Sequence, residues 1–317
     1  MIAFGSSITA PELYRECAER GINRVKEPDS QVLARMAAGS LFRSYNVLLD
    51  EAAQLDDLEA LVLVHQDAEI IDGDFIGKLR RALSDPDVGV VGCVGAIGVR
   101  SIAWWEGSVT WASFTHRYGE LGGGEIPAFS FAGEKLPPYA HTGEVDTVDG
   151  FILGLSPWTV QNVRFDESLG QLHGYDLDFC LSVRAAGKKV ITEDFQAVHH
   201  HSLELVSEPD TWMTAHMKVA EKWEGRMGAI GFAPGDWKER ARRAEAEAAA
   251  TRAQVVAKEL QHEAELKWLR LQIEVMKHSI SWKLTSPLRW INKLRKDARQ
   301  RRDGEPDEAP EHSRVPR

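Results

Sequence analysis

Apolar residues in the first two-thirds of the chain come in short blocks divided by polar, Gly- and Pro-containing stretches. Ile2–Ile8 predicts a strand, with Gly5-Ser6-Ser7 at its end. Pro11-Glu12 then opens a helix, because Pro suits the first helical position and Glu the positive end of the dipole. That helix is expected to reach about Arg20 and stop at Gly21. Ile22–Val25 predicts a short second strand and Glu27–Ser30 a turn. Leu41, Tyr45, Leu48 and Leu49 lie at helical spacing and predict a helix from about Ser40 to Leu55. Ala60–Val64 is an unbroken apolar run, the pattern of a strand buried on both faces of a sheet. A helix over Phe75–Leu83, ended by Asp85-Pro86, and a strand over Val88–Val94 follow. This β-α-β-α-β order predicts an α/β fold around a doubly wound, mostly parallel sheet.

Gly95–Val145 breaks the pattern. It holds Trp104-Trp105, Trp111, Gly122-Gly123-Gly124 and Pro137-Pro138. Irregular stretches of this length inside a compact domain usually form a lid or a binding surface. The tryptophans either stack on sugars or bases, or cover an apolar face; the sequence leaves both open. Regular structure resumes with a strand over Val148–Leu155 that carries Asp149, and a helix is expected to begin in His173–Leu181 and end near Gly187. A strand at Lys189–Thr192, a strand-like Val198–Ser202 and a helix over Thr211–Trp223 complete this part.

From about Asp236 the composition changes. Arg240–Ala257 is rich in Ala, Arg and Glu, and Leu266, Leu269, Ile273, Met276 and Ile280 then recur at 3-4-3-4 spacing. That is roughly two heptads of a coiled-coil seam, which either pairs with a second copy or belongs to an isolated charged helix. Residues 282–302 carry eight basic side chains and one acid, interleaved with Trp282, Leu284, Leu288, Trp290, Ile291 and Leu294. A basic amphipathic segment with Trp fits a membrane surface over 281–302, or an acidic protein surface. The expected organisation is a catalytic domain at 1–235, a helical extension at 236–302 and a disordered Pro-containing tail at 303–317.

Charge and cysteine usage narrow the function. The 317 residues are 43% hydrophobic and 27% charged, with a formal net charge of −10. Residues 1–235 hold 19 basic and 34 acidic side chains, whereas 236–317 hold 19 and 14. So acidic a body argues against nucleic acid as the partner. Cys17, Cys93 and Cys180 are odd in number and lack C-x-x-C spacing, which indicates neither a disulfide framework nor a zinc site. The first residues lack the basic and apolar regions of a signal peptide, and no stretch approaches the ~18 apolar residues of a membrane span. A cytoplasmic protein, peripheral at most to the inner face of the plasma membrane, is expected.

Three polar groups stand at ends of predicted elements: His65-Gln66-Asp67, Asp176-Leu177-Asp178 and His199-His200-His201. A carboxylate and an imidazole at the exit of a buried strand sit where open α/β sheets bind ligands. Each group alone also has an ordinary reading as a helix cap or surface cluster. Taken in order, with the Val148-Asp149-Gly150 strand, Arg164-Phe165-Asp166-Glu167 and the Gly174-Tyr-Asp-x-Asp-x-Cys180 helix start, they resemble the GT-A-fold glycosyltransferases of family 2, in the subgroup of streptomycin-biosynthesis type. The resemblance covers about residues 1–225. It implies transfer of a sugar from a nucleotide diphosphate donor to a glycan or lipid-linked acceptor, with inversion, assisted by Mn²⁺ or Mg²⁺ as Lewis acid on the departing diphosphate. Asp67 then matches the last acid of the family's D-x-D motif and is a metal ligand, while His65 replaces the first acid and faces ribose or diphosphate. A late histidine completes the metal site; alignment on Ser202 favours His200, with His199 the one-residue alternative. Asp176 matches the catalytic base, which takes the acceptor proton, and Tyr175 replaces the acid that precedes it. Asp178 is a helix cap or orienting group, with Arg184 as a candidate partner. Asp149, Trp104 and Trp105 are acceptor-site candidates, and Glu27 and Asp29, after the predicted second strand, are nucleotide-base candidates. Ser281-Trp-Lys-Leu-Thr-Ser-Pro-Leu-Arg289 is similar to a segment behind coiled coils in polysaccharide glycosyltransferases, which implies work on surface glycans. Two other readings stand beside this one: a non-catalytic nucleotide-sugar-binding scaffold of the same fold, and a metal hydrolase built on the three histidines.

Overall fold

The computed structural model describes residues 1–99, 102–104, 108–109, 114–118, 124–127, 142–200, 209–224, 236–279, 282–283 and 285, with the backbone alone for 236–244, 247 and the strands between 108 and 127. The strands in chain order are β1 (Ile2–Ile8), β2 (Gln31–Met36), β3 (Ala60–Val64), β4 (Ala68–Ile70), β5 (Val88–Gly92), β6 (Gly95–Ile97), β7 (Ser108–Val109), β8 (Phe114–Tyr118), β9 (Gly124–Pro127), β10 (Glu144–Val145), β11 (Thr147–Val148), β12 (Ile152–Leu155), β13 (Lys189–Thr192) and β14 (Ala197–His199). The helices are α1 (Pro11–Tyr14), α2 (Arg20–Val25), α3 (Leu41–Ala52), α4 (Phe75–Leu83), α5 (Pro157–Asn162), α6 (Tyr175–Ala185), α7 (Pro209–Lys222) and α8 (Asp236–His278), with a π-helical turn at Arg15–Glu19 joining α1 to α2.

A seven-stranded sheet in the order β10-β13-β5-β12-β3-β1-β2 forms the centre. β2, β1, β3, β5 and β13 run parallel; β12 and β10 run against them. The sheet is therefore mixed but mostly parallel, as expected for the GT-A α/β frame. Every residue of β3 is fully buried, which is why its sequence is an unbroken apolar run. Covering helices bury one stripe each. In α3, Phe42, Tyr45, Leu48, Leu49 and Ala52 face the core, and Ser40 caps the helix by accepting from the Arg43 amide at 3.2 Å.

The second strand departs from expectation. Ile22–Val25 is the last turn of α2, and β2 lies further on, at Gln31–Met36. Gly21 does not stop the helix but lets it approach β4: a Cβ there would lie 2.4 Å from the Ile70 amide nitrogen. β2 is an edge strand with only Leu33 buried, so it lacks the alternation that marks a strand.

Beside the main sheet, β4-β14-β8-β9 form a four-stranded sheet and β11-β6-β7 a three-stranded one. Of these, β6, β7, β8 and β9 occupy part of Gly95–Val145, expected to be irregular; Trp105, Trp111 and Pro137-Pro138 lie outside the described residues. The chain divides into two compact units, Met1–Gln261 and His262–Arg317. Within the first, Ala246, Ala249, Ala250 and Ala253 of α8 are buried in the core, small side chains that let a helix pack closely. Within the second, the seam residues Leu266, Leu269, Ile273 and Met276 are exposed. The 281–302 segment lies almost wholly, and the 303–317 tail entirely, outside the described residues.

Candidate active site

The parallel strands β1 and β3 end side by side, and His65-Gln66-Asp67 leaves the end of β3. The His65 amide donates to the Phe151 carbonyl at 2.9 Å, so the exit of β3 is pinned to the start of the antiparallel β12. The Gln66 Oε1 accepts from the amides of both Thr9 and Ala10, and its Nε2 donates to the Thr9 hydroxyl at 2.7 Å. Gln66 therefore clasps the loop after β1 to the loop after β3. A turn follows, in which the Ala68 amide donates to the His65 carbonyl, and the chain enters β4.

β14 pairs antiparallel with β4 in the register Val198↔Glu69 and His199↔Ala68, and the His200 amide donates to the Asp67 carbonyl at 2.7 Å. Successive side chains of a strand point to opposite faces. The two imidazoles therefore diverge. His199 Nε2 lies 3.6 Å from Asp67 Oδ1, while His200 Nε2 lies 3.2 Å from Glu69 Oε2. His199 stacks on Phe151 with centroids 4.7 Å apart, a platform that fixes its ring. His65 Nδ1 lies 3.9 Å from Asp67 Oδ1. Ligand atoms of His65, Asp67 and His199 all fall within 4.8 Å of one another, the metal-capable group among the described residues. His200 instead joins a cluster in which buried Glu69 accepts from Arg20 and Arg24.

Electrostatics separate these groups. Burial alone would raise the Asp67 pKa, but the charge and hydrogen bond of His199, with His65, outweigh it and hold the carboxyl below its usual range. His199 shows the converse: burial disfavours its charge, and Asp67 raises its pKa. Burial lowers the pKa of His65, so its ring is neutral near pH 7. A carboxylate with two imidazoles is a donor set that suits a divalent cation, and one that Mn²⁺ tolerates better than Mg²⁺.

Asp176 stands in the first turn of α6, which starts after Gly174 in a left-handed conformation at φ 77°. Its Oδ1 accepts from the Leu177 amide at 2.9 Å and its Oδ2 from the Gly150 amide at 3.2 Å. Burial, and then the neighbouring Asp149 carboxylate, push the Asp176 pKa up to about 7. Asp149 lies not in a strand but in the turn between β11 and β12, where it accepts from the Phe151 amide at 3.1 Å. Asp178 is buried on the other side of the helix. It accepts from the Trp223 indole at 2.7 Å and from Lys222 at 3.0 Å, fastening the end of α7 to α6. Arg184 pairs with Asp146 and Glu144 rather than with Asp178.

The remaining candidates fall elsewhere. Glu27 forms a two-pronged ion pair with Arg80, which also holds Glu59 beside the chain's first amino group. That cluster lies at the starting ends of β1 and β3, opposite to His65 and Asp67. Asp29 belongs to the same turn before β2. The loop that follows β2 is Ala37–Ser40, because the second strand is displaced in sequence. Ala37 and Gly39 line a cleft of ≈ 370 Å³ together with Ser7, Thr9, Tyr45, His65, Gln66, Asp67 and Gln171. Trp104 is half-buried against the core, and Trp105 lies outside the described residues.

Two residues gain importance that the sequence did not assign. In sequence Gln66 is only the middle of a motif, although an amide between a histidine and an acid at a strand exit is a plain hydrogen-bonding signal. In sequence Tyr175 only replaces an acid, yet its hydroxyl lies 2.6 Å from His65 Nε2.

A mostly parallel α/β sheet that gathers acids and imidazoles beside a cleft at the exits of its strands defines a ligand-binding site of the open-sheet class. Residues 3–223 match the glycosyltransferase like family, and the chain belongs to that family. The family expected from H-Q-D and Gly-Tyr-Asp-x-Asp-x-Cys is thus the one the chain belongs to. It is 33% identical over 211 residues to the streptomycin biosynthesis protein StrF of Streptomyces griseus, spanning 64% of this chain and 67% of that protein. Among solved structures it is similar to the mannosyltransferase PcManGT of Pyrobaculum calidifontis in complex with GDP-Man and Mn²⁺, at 14% identity and a TM-score of 0.43, covering 96% of this chain and 87% of that one. It is also similar to GalNAc-T7 with UDP, GalNAc and Mn²⁺, at 8% identity and a TM-score of 0.48, covering 78% and 54%. No helix among the described residues is long and apolar enough to cross a membrane.

Proposed function

We propose that this glycosyltransferase moves a sugar, with inversion, from a nucleotide diphosphate donor to a hydroxyl of a glycan or lipid-linked acceptor. The observation that carries the reading is the convergence of Asp67, His65 and His199 within 4.8 Å beside the cleft. These three side chains would hold a divalent cation, Mn²⁺ in preference to Mg²⁺, which supplies charge neutralisation for the departing diphosphate. His199 takes the metal role in preference to His200, because His200 is engaged with Glu69. Asp176 is the base. A carboxyl raised to about 7 is ionised in a useful fraction of molecules at neutral pH and accepts a proton more readily than an ordinary aspartate. The amides of Gly150 and Leu177 hold its two oxygens in place. Asp149 and Trp104 remain acceptor-side candidates with Trp105. The nucleotide is placed along Ser7, Thr9, Ala37 and Gly39, in preference to Glu27 and Asp29. Residues 1–235 form the catalytic domain. Self-association through the seam in 236–302 and contact of 281–302 with the inner membrane surface would bring it to surface-glycan acceptors.

A thermal-shift panel of UDP-, GDP- and dTDP-sugars, with and without Mn²⁺, tests the reading, since a bound donor raises the melting temperature by mass action. One donor class should shift the protein only when Mn²⁺ is present, and Asp67→Ala should remove the shift. Asp176→Ala should keep the shift and abolish transfer. Donor binding without any transfer in the unaltered protein would favour the scaffold reading, and no response to any donor would refute both.

A further inference from the structure

His65 and Tyr175 are 110 residues apart in sequence and stand where the resembled pattern has acids; in the fold they are bonded to each other. The Tyr175 hydroxyl lies 2.6 Å from His65 Nε2, while His65 Nδ1 is the nitrogen turned toward Asp67. The tyrosine ring has no freedom to leave. It packs edge-on against Phe42 and Tyr45, with centroids 6.2 and 5.7 Å away, and tilts against Phe165. Its hydroxyl end lies over Gly150, where a Cβ would come 2.0 Å from the oxygen. Gly150 is thus the residue that makes room for the hydroxyl, and it also donates to Asp176.

A neutral imidazole carries one proton, so the partner of one nitrogen decides what the other offers. A histidine that binds a metal commonly donates its second ring N–H to a fixed acceptor, which orients the ring and strengthens the ligand. We propose that Tyr175 is a positioning residue: its oxygen accepts the Nε2–H of His65, and this leaves the Nδ1 lone pair on the Asp67 side, available to a divalent cation. Gly150 is part of the same device, because a larger residue there would displace the oxygen. The inference rests on the metal site proposed above and extends it to a residue that touches neither cation nor substrate.

The test measures Mn²⁺ binding by titration, with free Mn²⁺ followed by electron paramagnetic resonance, and the His65 tautomer by ¹⁵N-histidine NMR on metal-free protein. His65→Ala assigns the signal. The unaltered protein should show His65 protonated on Nε2. Tyr175→Phe, which keeps the ring and its packing, should weaken Mn²⁺ binding about 10- to 100-fold and mix the tautomers. Gly150→Ala should do the same from the other side. In a His65→Ala background, Tyr175→Phe should have no further effect on Mn²⁺, which a general packing role would not produce. A His65 protonated on Nδ1, or unchanged Mn²⁺ affinity in folded Tyr175→Phe, overturns the proposal while Asp67→Asn still abolishes binding. If the unaltered protein binds no Mn²⁺, the metal site itself falls and the proposal with it.

Discussion

Replacing Asp176 by Asn should make the protein inactive and, above neutral pH, more stable. The carboxyl keeps its proton up to about pH 7 in the folded chain, against an ordinary value of 3.8, because it is buried next to Asp149. Below pH 4 the folded and unfolded chains both hold the proton. Between about 4 and 7 the unfolded chain releases it while the folded chain keeps it, so stability falls as pH rises through this window and levels off above it. The full displacement corresponds to about 4 kcal/mol at 1.36 kcal/mol per tenfold. Asp176 is partly exposed, and water at its open edge screens the penalty, so about 2 kcal/mol is expected. Urea unfolding of the metal-free protein and of Asp176→Asn, at pH 5 and pH 8, reads it directly. The two should unfold alike at pH 5, where Asn imitates a protonated Asp, and the variant should gain about 2 kcal/mol at pH 8. An equal difference at both pH values would refute the assignment of a raised, uncompensated carboxyl at this position. Transfer measured in parallel should be lost at every pH.

Other substitutions probe the frame. Gly21→Ala should cost about 1–3 kcal/mol in urea unfolding, because its Cβ would meet the backbone of Ile70. Glu69→Gln should cost about 1–2 kcal/mol, since the buried side chain loses its charge-assisted hydrogen bonds while Arg20 and Arg24 keep contact with water. Leu63→Ala, in the fully buried β3, should cost about 2–5 kcal/mol by chemical denaturation. The Glu69 carboxyl is held low mainly by Arg20 and Arg24, against the penalty of burial, so its stabilisation is present at neutral pH and disappears as the solution is acidified through its folded value; the Gln variant should lack that part of the acid transition.

How much could be read beforehand follows from how each element is buried. β3 and β5 were legible because strands covered on both faces leave runs without polar residues, and β1 from Ile2-Ala3-Phe4 before Gly5-Ser6-Ser7. α3, α4 and α7 were legible because each buries one stripe. β2 was hidden, because an edge strand with one buried residue needs no pattern, and Ile22 with Val25 suits a helical face as well as a strand. With β2 displaced, Glu27 and Asp29 stand at the end of the sheet opposite to His65 and Asp67. Asp67 and Asp176 were visible as acids at element boundaries. The choice between His199 and His200 was not, because it depends on the pairing of β14 with β4. Nor was the Tyr175–His65 bond, since nothing local in either segment requires it.

The pairing of β14 has one more consequence. It is a short strand, and short strands are vulnerable to sliding along their neighbours. If β14 advanced by one residue, His200 would take the place His199 holds opposite Ala68, and an imidazole would still meet Asp67. Sliding the other way would bring Val198 to Asp67. A slip of one residue would therefore keep an imidazole beside Asp67 in one direction and put an apolar side chain there in the other.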